Sequence, residues 1–204
     1  MEENKTYQKY YNPCELPKVT IAIVIINVVL FVLQTHLFKY DAWSLLGINW
    51  DKLVDKEFYR LFTAMFTHAS LAHLGSNMIA LYGAGMYLEE KLGSKRFLIF
   101  YLLCGVLGEI LGCTLGGYVL QREYISVGAS GAVFGLVGML IILSLRKQMF
   151  RIPMIRIILF LALCITDALT ESGVDIFSHA GGFVVGIVIG LIYSCVAGEK
   201  TIEE

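Results

Sequence analysis

The chain has 204 residues, of which 57% are hydrophobic and only 16% are charged. This composition excludes an ordinary soluble domain and predicts several apolar segments, each able to cross a bilayer with about 20 residues. The length fits one membrane domain of about six spans with short tails. Because the formal net charge is −1, the composition does not point to nucleic acid as a partner.

Six apolar segments are predicted to span the membrane. In chain order they cover residues 19–37, 71–92, 97–119, 129–145, 153–169 and 176–196, between tails at 1–18 and 197–204. The first follows Pro17, and the second ends before Gly93, a predicted C-cap. The fourth has only about 17 residues, near the lower limit for crossing. We therefore expect this helix to begin below the membrane surface, with Ser130 in the protein interior.

The first tail begins with two glutamates after Met1 and has no basic region before a short apolar core, so a cleaved signal peptide is not expected. The cysteines are Cys14, Cys104, Cys113, Cys164 and Cys195, and all but the first lie in apolar segments without Cys-x-x-Cys spacing or an adjacent histidine. We interpret these four as small buried thiols. No metal or nucleotide signature occurs, so no cofactor and no metal are expected.

Residues 38–60 form the longest stretch without a clean span. Trp43 and Trp50 lie here among aliphatic side chains, Asp and Lys. Aromatic rings in such a mixture sit at the level of the lipid headgroups. We interpret residues 40–54 as partly helical and half embedded in the membrane, and the alternative is a water-exposed loop.

The distribution of basic residues predicts the topology. Basic residues cluster before span one and after spans two, four and six, at Lys5, Lys9, Lys18, Lys91, Lys95, Arg96, Arg146, Lys147, Arg151 and Lys200. This bias places both termini in the cytoplasm. The entrances of spans two, four and six then share the outer side, where His73, Asn77, Ser130 and His179 converge. We expect a multi-pass protein of a bacterial plasma membrane.

The stretch 125–138, ISVGASGAVFGLVG, contains a serine between two glycines at a helix entrance. Gly128 and Gly131 allow a substrate backbone to approach Ser130, while first-turn N–H groups point toward its hydroxyl. The Gly131-x-x-x-Gly135 spacing is typical of a membrane helix that packs tightly against another. The same motif also occurs as a simple packing site, so interpreting Ser130 as a nucleophile requires a partner base.

His179 in the sixth span is the candidate base, because a neutral imidazole can accept the serine proton. It is followed by the ladder Gly182-x-x-x-Gly186-x-x-x-Gly190. If spans four and six touch through their glycines, His179 reaches Ser130. The alternative is that the histidine only packs.

An oxyanion hole is predicted from three groups near Ser130. His73 and Asn77 are four residues apart, so on a helix both side chains project from one face. With the Ser130 backbone N–H they would donate to a developing oxyanion. Phe134 lies one turn after Ser130, where its ring would pack against the His179 imidazole.

A third catalytic acid is not obvious. Asp175 precedes His179 by four residues, but as the predicted N-cap of span six it has a structural role. A Ser–His dyad is therefore favoured over a triad. Glu109 is the one charge of span three, and we interpret it as a helix-contact carboxyl rather than a functional group.

Several motifs in this order resemble the rhomboid family of intramembrane serine proteases, across residues 18–196. They are Arg60 within YRLFT, His68, HLGSN at 73–77, Glu89 with Gly93, GASG at 128–131 and HAGGFVVG at 179–186. The resemblance implies an all-α, six-transmembrane-helix bundle with a half-embedded first loop. It implies that the protein cuts membrane-protein substrates within or beside a transmembrane segment.

The resemblance also assigns roles to individual residues. Ser130 would be the nucleophile and His179 the base, with His73, Asn77 and the Ser130 N–H as the oxyanion hole. Phe134 stands where many members have Tyr. Arg60 and Glu89 would brace the scaffold beneath the first loop, and residues 169–174 would form a cap over the site. The remaining supporting positions are Gly128, Gly131 and His68.

Two rival interpretations come from other functional classes. A non-catalytic rhomboid-like protein that binds membrane clients would be expected to lack Ser130 or His179. A channel or transporter using Glu109, Asp167 and the histidines predicts inverted repeats, and the two halves show no convincing similarity. For a protease, a glycine-lined site favours small side chains at the cleaved bond and a substrate helix that unwinds easily.

Overall fold

The computed structural model describes residues 16–38, 42–146 and 175–199, and these residues are mostly helical. The helices are α1 (Lys18–Phe38), α2 (Ala42–Leu46), α3 (Trp50–Val54), α4 (Arg60–Thr63), α5 (Leu71–Leu92), α6 (Ser94–Gly112), α7 (Ser130–Leu145) and α8 (Ile176–Glu199). A 3₁₀ turn, Ala64–Phe66, follows α4, and π-helical turns, Cys113–Val119, extend α6. In these ranges the extended pairing is a single bridge between Ile48 and Ser126.

Three helices of the described ranges are long and apolar enough to cross a membrane: Lys18–Leu37, Ser94–Val119 and Ile176–Val196. They correspond to predicted spans one, three and six. α5 has 22 residues but carries more polar groups. α7 has 16 residues, so at about 1.5 Å per residue it is shorter than a hydrocarbon core of about 30 Å. The predicted fifth span and the predicted cap at 169–174 lie outside the described residues, so the count of six remains a prediction.

Helix ends lie close to their predicted positions because local capping groups define them. α1 begins directly after Pro17, whose carbonyl accepts the Ile21 N–H at 2.9 Å. Ser70 caps α5 by accepting the His73 N–H at 3.0 Å. Gly93 ends α5 with φ of +78°, a left-handed conformation that glycine adopts readily.

Helices α7 and α8 touch through glycines, so that their backbones come into direct contact. A Cβ atom built on Gly186 would lie 1.8 Å from the carbonyl oxygen of Gly135, and one on Gly182 would lie 2.0 Å from that of Gly131. At Gly190 the nearest heavy atom would be 3.1 Å away, so the ladder loosens toward the far end of α8. The backbones can be this close only because no side chain separates them.

The main apolar core lies between α5, α6 and α7. Its largest fully buried side chains include Leu88, Phe97, Tyr101, Leu136 and Met139. Along α1, in contrast, many aliphatic side chains are exposed. An exposed apolar helix face of this kind fits contact with lipid rather than water.

One cysteine differs from its predicted environment. Cys104 and Cys113 are buried, as expected, but Cys195 is exposed. It lies on the same outward face of α8 as Val188 and Ile192, which are also exposed. The helical period, rather than the apolar surroundings in the sequence, decides its environment. Cys14 and Cys164 lie outside the described residues.

The segment between α1 and α5 is partly helical, as predicted for residues 40–54, since α2 and α3 fall there. Arg60 is buried beneath it and donates from Nη1 to the carbonyls of Gly47, at 2.9 Å, and Ser44, at 3.3 Å. Its Nε contacts Oε2 of Glu57 at 2.6 Å, and Lys52 Nζ contacts Oε1 of Glu57 at 2.9 Å. Arg60 thus contacts α2 directly and reaches α3 through the ion pair between Glu57 and Lys52. Its depth in the membrane remains a prediction.

Glu89 contacts a different part of the molecule. Its carboxylate, near the end of α5, accepts hydrogen bonds from the N–H groups of Val19 and Thr20, at 2.9 and 2.8 Å, and from the Thr20 hydroxyl. The Ser94 hydroxyl also donates to it at 2.6 Å. Glu89 therefore caps the start of α1, and among the described residues its hydrogen-bond partners are Val19, Thr20 and Ser94.

The contact between α7 and α8 generates a prediction about stability. Gly186→Ala places a methyl group where the Gly135 carbonyl lies, and overpacking of this kind costs about 1–3 kcal/mol. Gly75→Ala is the matched control, because nothing lies within 4 Å of its Cβ position. We expect thermal unfolding in detergent to show a lower melting temperature for Gly186→Ala alone. Equal melting temperatures would contradict this close contact between α7 and α8.

The ion pairs of Glu57 predict a dependence of stability on pH. Hydrogen bonds from Lys52 and Arg60 lower the pKa of the Glu57 carboxyl from its ordinary value to about 2. In the unfolded chain the pKa of this group is about 4.3. As the pH falls, Glu57 therefore binds a proton in the unfolded chain before it does so in the folded protein. The stabilising contribution is present above that pH and is lost between about 4.3 and 2.

We therefore expect the melting temperature of the wild type to fall more steeply than that of Glu57→Gln as the pH is lowered through this window. The measurement is a series of thermal unfolding curves for both proteins between neutral pH and the lowest pH at which unfolding is reversible. Parallel curves would rule out this contribution of Glu57.

Candidate active site

Ser130 is the first residue of α7, and the backbone before it turns sharply. Gly128 has φ of +114°, which residues with a side chain rarely adopt. Its N–H donates to the carbonyl of Ala64 at 2.8 Å, which ties the turn to the segment after α4. The turn presents the Ser130 hydroxyl at the start of the helix, where the first N–H groups have no partner within the helix.

The structure brings Ser130 and His179 together across the contact between α7 and α8. The distance between Ser130 Oγ and His179 Nε2 is 2.7 Å, within hydrogen-bond range. His179 lies in the first turn of α8 and is only 7% exposed. Phe134 stacks on its imidazole, with ring centroids 4.5 Å apart and planes inclined by 12°. The ring nitrogen that faces the hydroxyl is thus held in place by a neighbour on α7.

His73 and Asn77 lie on one face of α5, and both are buried. The Asn77 side-chain amide donates to the carbonyl of His73 at 2.8 Å. A Cβ atom on Gly128 would lie 2.7 Å from His73 Nε2 and 3.6 Å from Ser130 Oγ. The glycine therefore leaves the space in which the histidine ring approaches the serine.

His68 supports this group from behind. Its ring meets that of His73 edge to face, with centroids 5.2 Å apart. Its Nε2 lies 3.5 Å from the backbone N–H of Ala129, the residue before the serine. The carbonyl of His68 in turn accepts a hydrogen bond of 2.6 Å from the Gln34 side chain on α1. Gln34 is not among the residues predicted from the sequence, although a glutamine within an apolar span is itself a signal.

A small cavity opens between these side chains. It is lined by Ser76, Asn77, Ser130, Phe134 and His179, among others, and has a volume of about 10 Å³. That volume is about enough for one water molecule. In the described ranges, no group of three or more His, Cys, Asp or Glu side chains could hold a metal ion.

Asp175 caps α8, as expected. Its Oδ1 accepts the backbone N–H groups of Phe177, at 2.9 Å, and Ser178, at 3.1 Å. Its Oδ2 is hydrogen bonded to the Ser178 hydroxyl. These contacts engage the carboxylate with the first turn of the helix rather than with the His179 imidazole.

The chain is similar to known proteins of one family. The family model described as "Rhomboid domain" matches residues 55–195. Rhomboid protease GluP of Bacillus subtilis is 35% identical over 132 residues, which are 64% of this chain and 25% of that protein. RHOMBOID-like protein 7 of Arabidopsis thaliana is 36% identical over 150 residues, 72% of this chain and 46% of that protein. Rhomboid-like protease 3 of Toxoplasma gondii is 31% identical over 144 residues, which are 68% of this chain and 52% of that protein.

The chain thus spans about a quarter to a half of the length of these relatives. The family match, in contrast, covers well over half of this chain. Together with the long apolar helices, these similarities indicate a multi-pass membrane protein. The chain belongs to the rhomboid family.

Proposed function

We propose that the protein is an intramembrane serine endopeptidase that hydrolyses peptide bonds within or next to transmembrane segments of membrane proteins. The observation that carries the proposal is the 2.7 Å contact between Ser130 Oγ and His179 Nε2. A serine hydroxyl is a weak nucleophile until a base accepts its proton, and a neutral imidazole at this distance can do so. Relatives named as rhomboid proteases support the same activity.

In the proposed first step, His179 accepts the hydroxyl proton while Ser130 Oγ attacks the carbonyl carbon of the scissile bond. The tetrahedral intermediate collapses to an acyl-enzyme, and His179 returns the proton to the leaving amine. Water then attacks the acyl carbon while His179 accepts its proton, and the ester bond breaks to release the carboxylic acid as His179 returns that proton to Ser130 Oγ. The stacked Phe134 ring would keep the imidazole in the plane that both transfers need.

The developing oxyanion needs hydrogen-bond donors. We propose the Ser130 backbone N–H, the Asn77 amide and His73 for this role. The Asn77 amide has two hydrogens, and its bond to the His73 carbonyl uses one of them. The second is available for the oxyanion. That existing bond also fixes the orientation of the amide before substrate arrives.

The small volume of the cavity bears on the substrate. With room for about one water molecule, the site would favour small side chains next to the cleaved bond. A substrate helix must also unwind to expose its backbone, so helix-breaking residues near the site should help. We further propose a plasma-membrane location with both termini cytoplasmic and the site opening to the outer side.

The first test is cleavage of a single-span substrate with a small-residue, helix-breaking site, reconstituted in liposomes. We expect the wild type to cut, and Ser130→Ala and His179→Ala to show no measurable activity. Loss of either member of such a pair costs on the order of 10⁶-fold in kcat in a well-characterised serine protease. Ser144→Ala is the matched control, because this serine lies on the same helix and its hydroxyl has no partner in the described structure.

Cleavage that persists in Ser130→Ala would overturn the assignment of the nucleophile. A wild type that binds such substrates but never cuts them would instead favour the non-catalytic binding protein. Unfolding curves for each variant would separate loss of chemistry from loss of fold.

The oxyanion hole generates a second prediction. Removal of one donor costs about 10²–10³ in kcat, so Asn77→Ala should lose activity by that factor with little change in KM. Asn77→Asp is the informative companion, because a carboxylate of the same shape would repel the oxyanion. Steady-state kinetics on a detergent-solubilised substrate would measure both. Unchanged kcat in Asn77→Ala would remove this residue from the proposed set.

A further inference from the structure

Glu109 lies behind the proposed dyad: it is hydrogen bonded to the residue before His179 and lies close to the residue after Ser130. It projects from α6 and is 1% exposed. Its Oε2 is 2.9 Å from the hydroxyl of Ser178, the residue before His179. Its Oε1 lies 3.8 Å from the Cβ position of Gly131, the residue after Ser130. A buried carboxyl thus sits where the first turns of α7 and α8 meet α6.

The hydrogen bonds in this cluster require a proton that no hydroxyl supplies. The Ser178 oxygen is bonded to Glu109 and also to Asp175 Oδ2. A hydroxyl carries one proton and can donate to one carboxylate only. The second link therefore needs a proton on one of the two carboxyls. Ser126 approaches from the other side, with its hydroxyl 3.4 Å from that of Ser178.

One remaining negative charge suits this position. Helices α7 and α8 both begin here, and each helix N-terminus is equivalent to roughly half a positive charge. Two ionised carboxylates in a buried site would repel each other strongly. In the described part of the chain, no basic side chain forms a salt bridge with Glu109 or Asp175, since the salt bridges there involve Glu57 alone. A carboxyl and a carboxylate that share one proton balance the two helix ends.

The surrounding glycines allow the helices to approach closely, but they do not fix the rotation of α8 about its axis. A Cβ on Gly112 would lie 2.2 Å from the Ser178 hydroxyl oxygen. The first turn of α8 can therefore approach α6 only because Gly112 has no side chain. Contact between smooth helix faces resists rotation and sliding weakly. Hydrogen bonds depend on angle as well as distance. The bonds from Glu109 through Ser178 are therefore suited to fix the rotation of α8, and with it the direction of the His179 ring.

We propose that Glu109, acting through Ser178 and Asp175, is a positioning residue that sets the His179 imidazole against Ser130. The cluster holds a single negative charge and one shared proton. This inference rests on the proposed serine endopeptidase activity and adds a residue that acts without touching the substrate.

The test compares Glu109→Gln with Glu109→Leu in the full chain. Gln keeps the shape and can donate to the Ser178 oxygen, so its kcat should stay within about threefold of the wild type, since the cluster keeps its hydrogen bonds. Leu removes the link, and displacement of a reacting group by about 1 Å costs up to about 10²-fold. We expect Glu109→Leu to lose 10- to 100-fold in kcat with little change in KM.

Leu88→Ala is the matched control for stability, because Leu88 is fully buried near the end of α5. It should lower the melting temperature at least as much as Glu109→Leu while kcat is retained. The rate at which a fluorophosphonate labels Ser130 provides a readout independent of any substrate helix. It should follow kcat across all the variants.

A double-mutant cycle separates positioning from general packing. If Glu109 acts through Ser178, then Glu109→Leu should cost much less in kcat when Ser178→Ala is already present. Additive effects would overturn the proposal, as would equal kcat for Glu109→Leu and the wild type, or loss of activity in Glu109→Gln to the level of Glu109→Leu. A wild type that neither cleaves nor is labelled would overturn the proposed activity itself, and this inference with it.

Discussion

The direct contact between the backbones of α7 and α8 is the constraint on which the site depends. Gly135 and Gly186 leave no room for a side chain between the two helices. In a membrane, lipid tails are as apolar as leucine, so such close packing replaces hydrophobic burial as the cause of helix association. The 2.7 Å contact between Ser130 and His179 lies at one end of this seam. A single hydrogen bond of that kind contributes about 1 kcal/mol, too little to hold two helices together, so the packing is what brings the two side chains within reach of each other.

Polar side chains then define how the remaining elements meet. Glu89 joins the end of α5 to the start of α1, and Arg60 joins the first loop to the segment before α5. Glu109 links α6 to the first turn of α8. An unsatisfied polar group costs several kcal/mol in a lipid-like interior, so each of these side chains favours one arrangement strongly. Close glycine packing thus brings α7 and α8 together, and a few hydrogen-bonded polar side chains fix how the other elements meet.

Much of the local structure could be predicted because its causes are local. Pro17, Gly93 and Asp175 mark helix ends through their own backbone or side-chain chemistry. Long apolar runs predict membrane helices by length and composition. The exposure of Cys195 was predicted wrongly, since burial depends on which face of α8 meets a neighbour. Gln34 stands out as a polar residue in an apolar span, but its partner, the His68 carbonyl 34 residues away, does not follow from the spacing.

The sequence by itself determined the helical class, the helix ends, the glycine ladders and, through motif resemblance, the residues of the candidate site. Periodicity and capping act within a few residues, and motifs can be compared directly between chains. Only the tertiary structure decided that Glu109 lies between the neighbours of Ser130 and His179, and that Glu89 caps α1. Those contacts join residues about 20 to 70 positions apart, and spacing along a chain does not specify which helix faces meet once several packings are open to them.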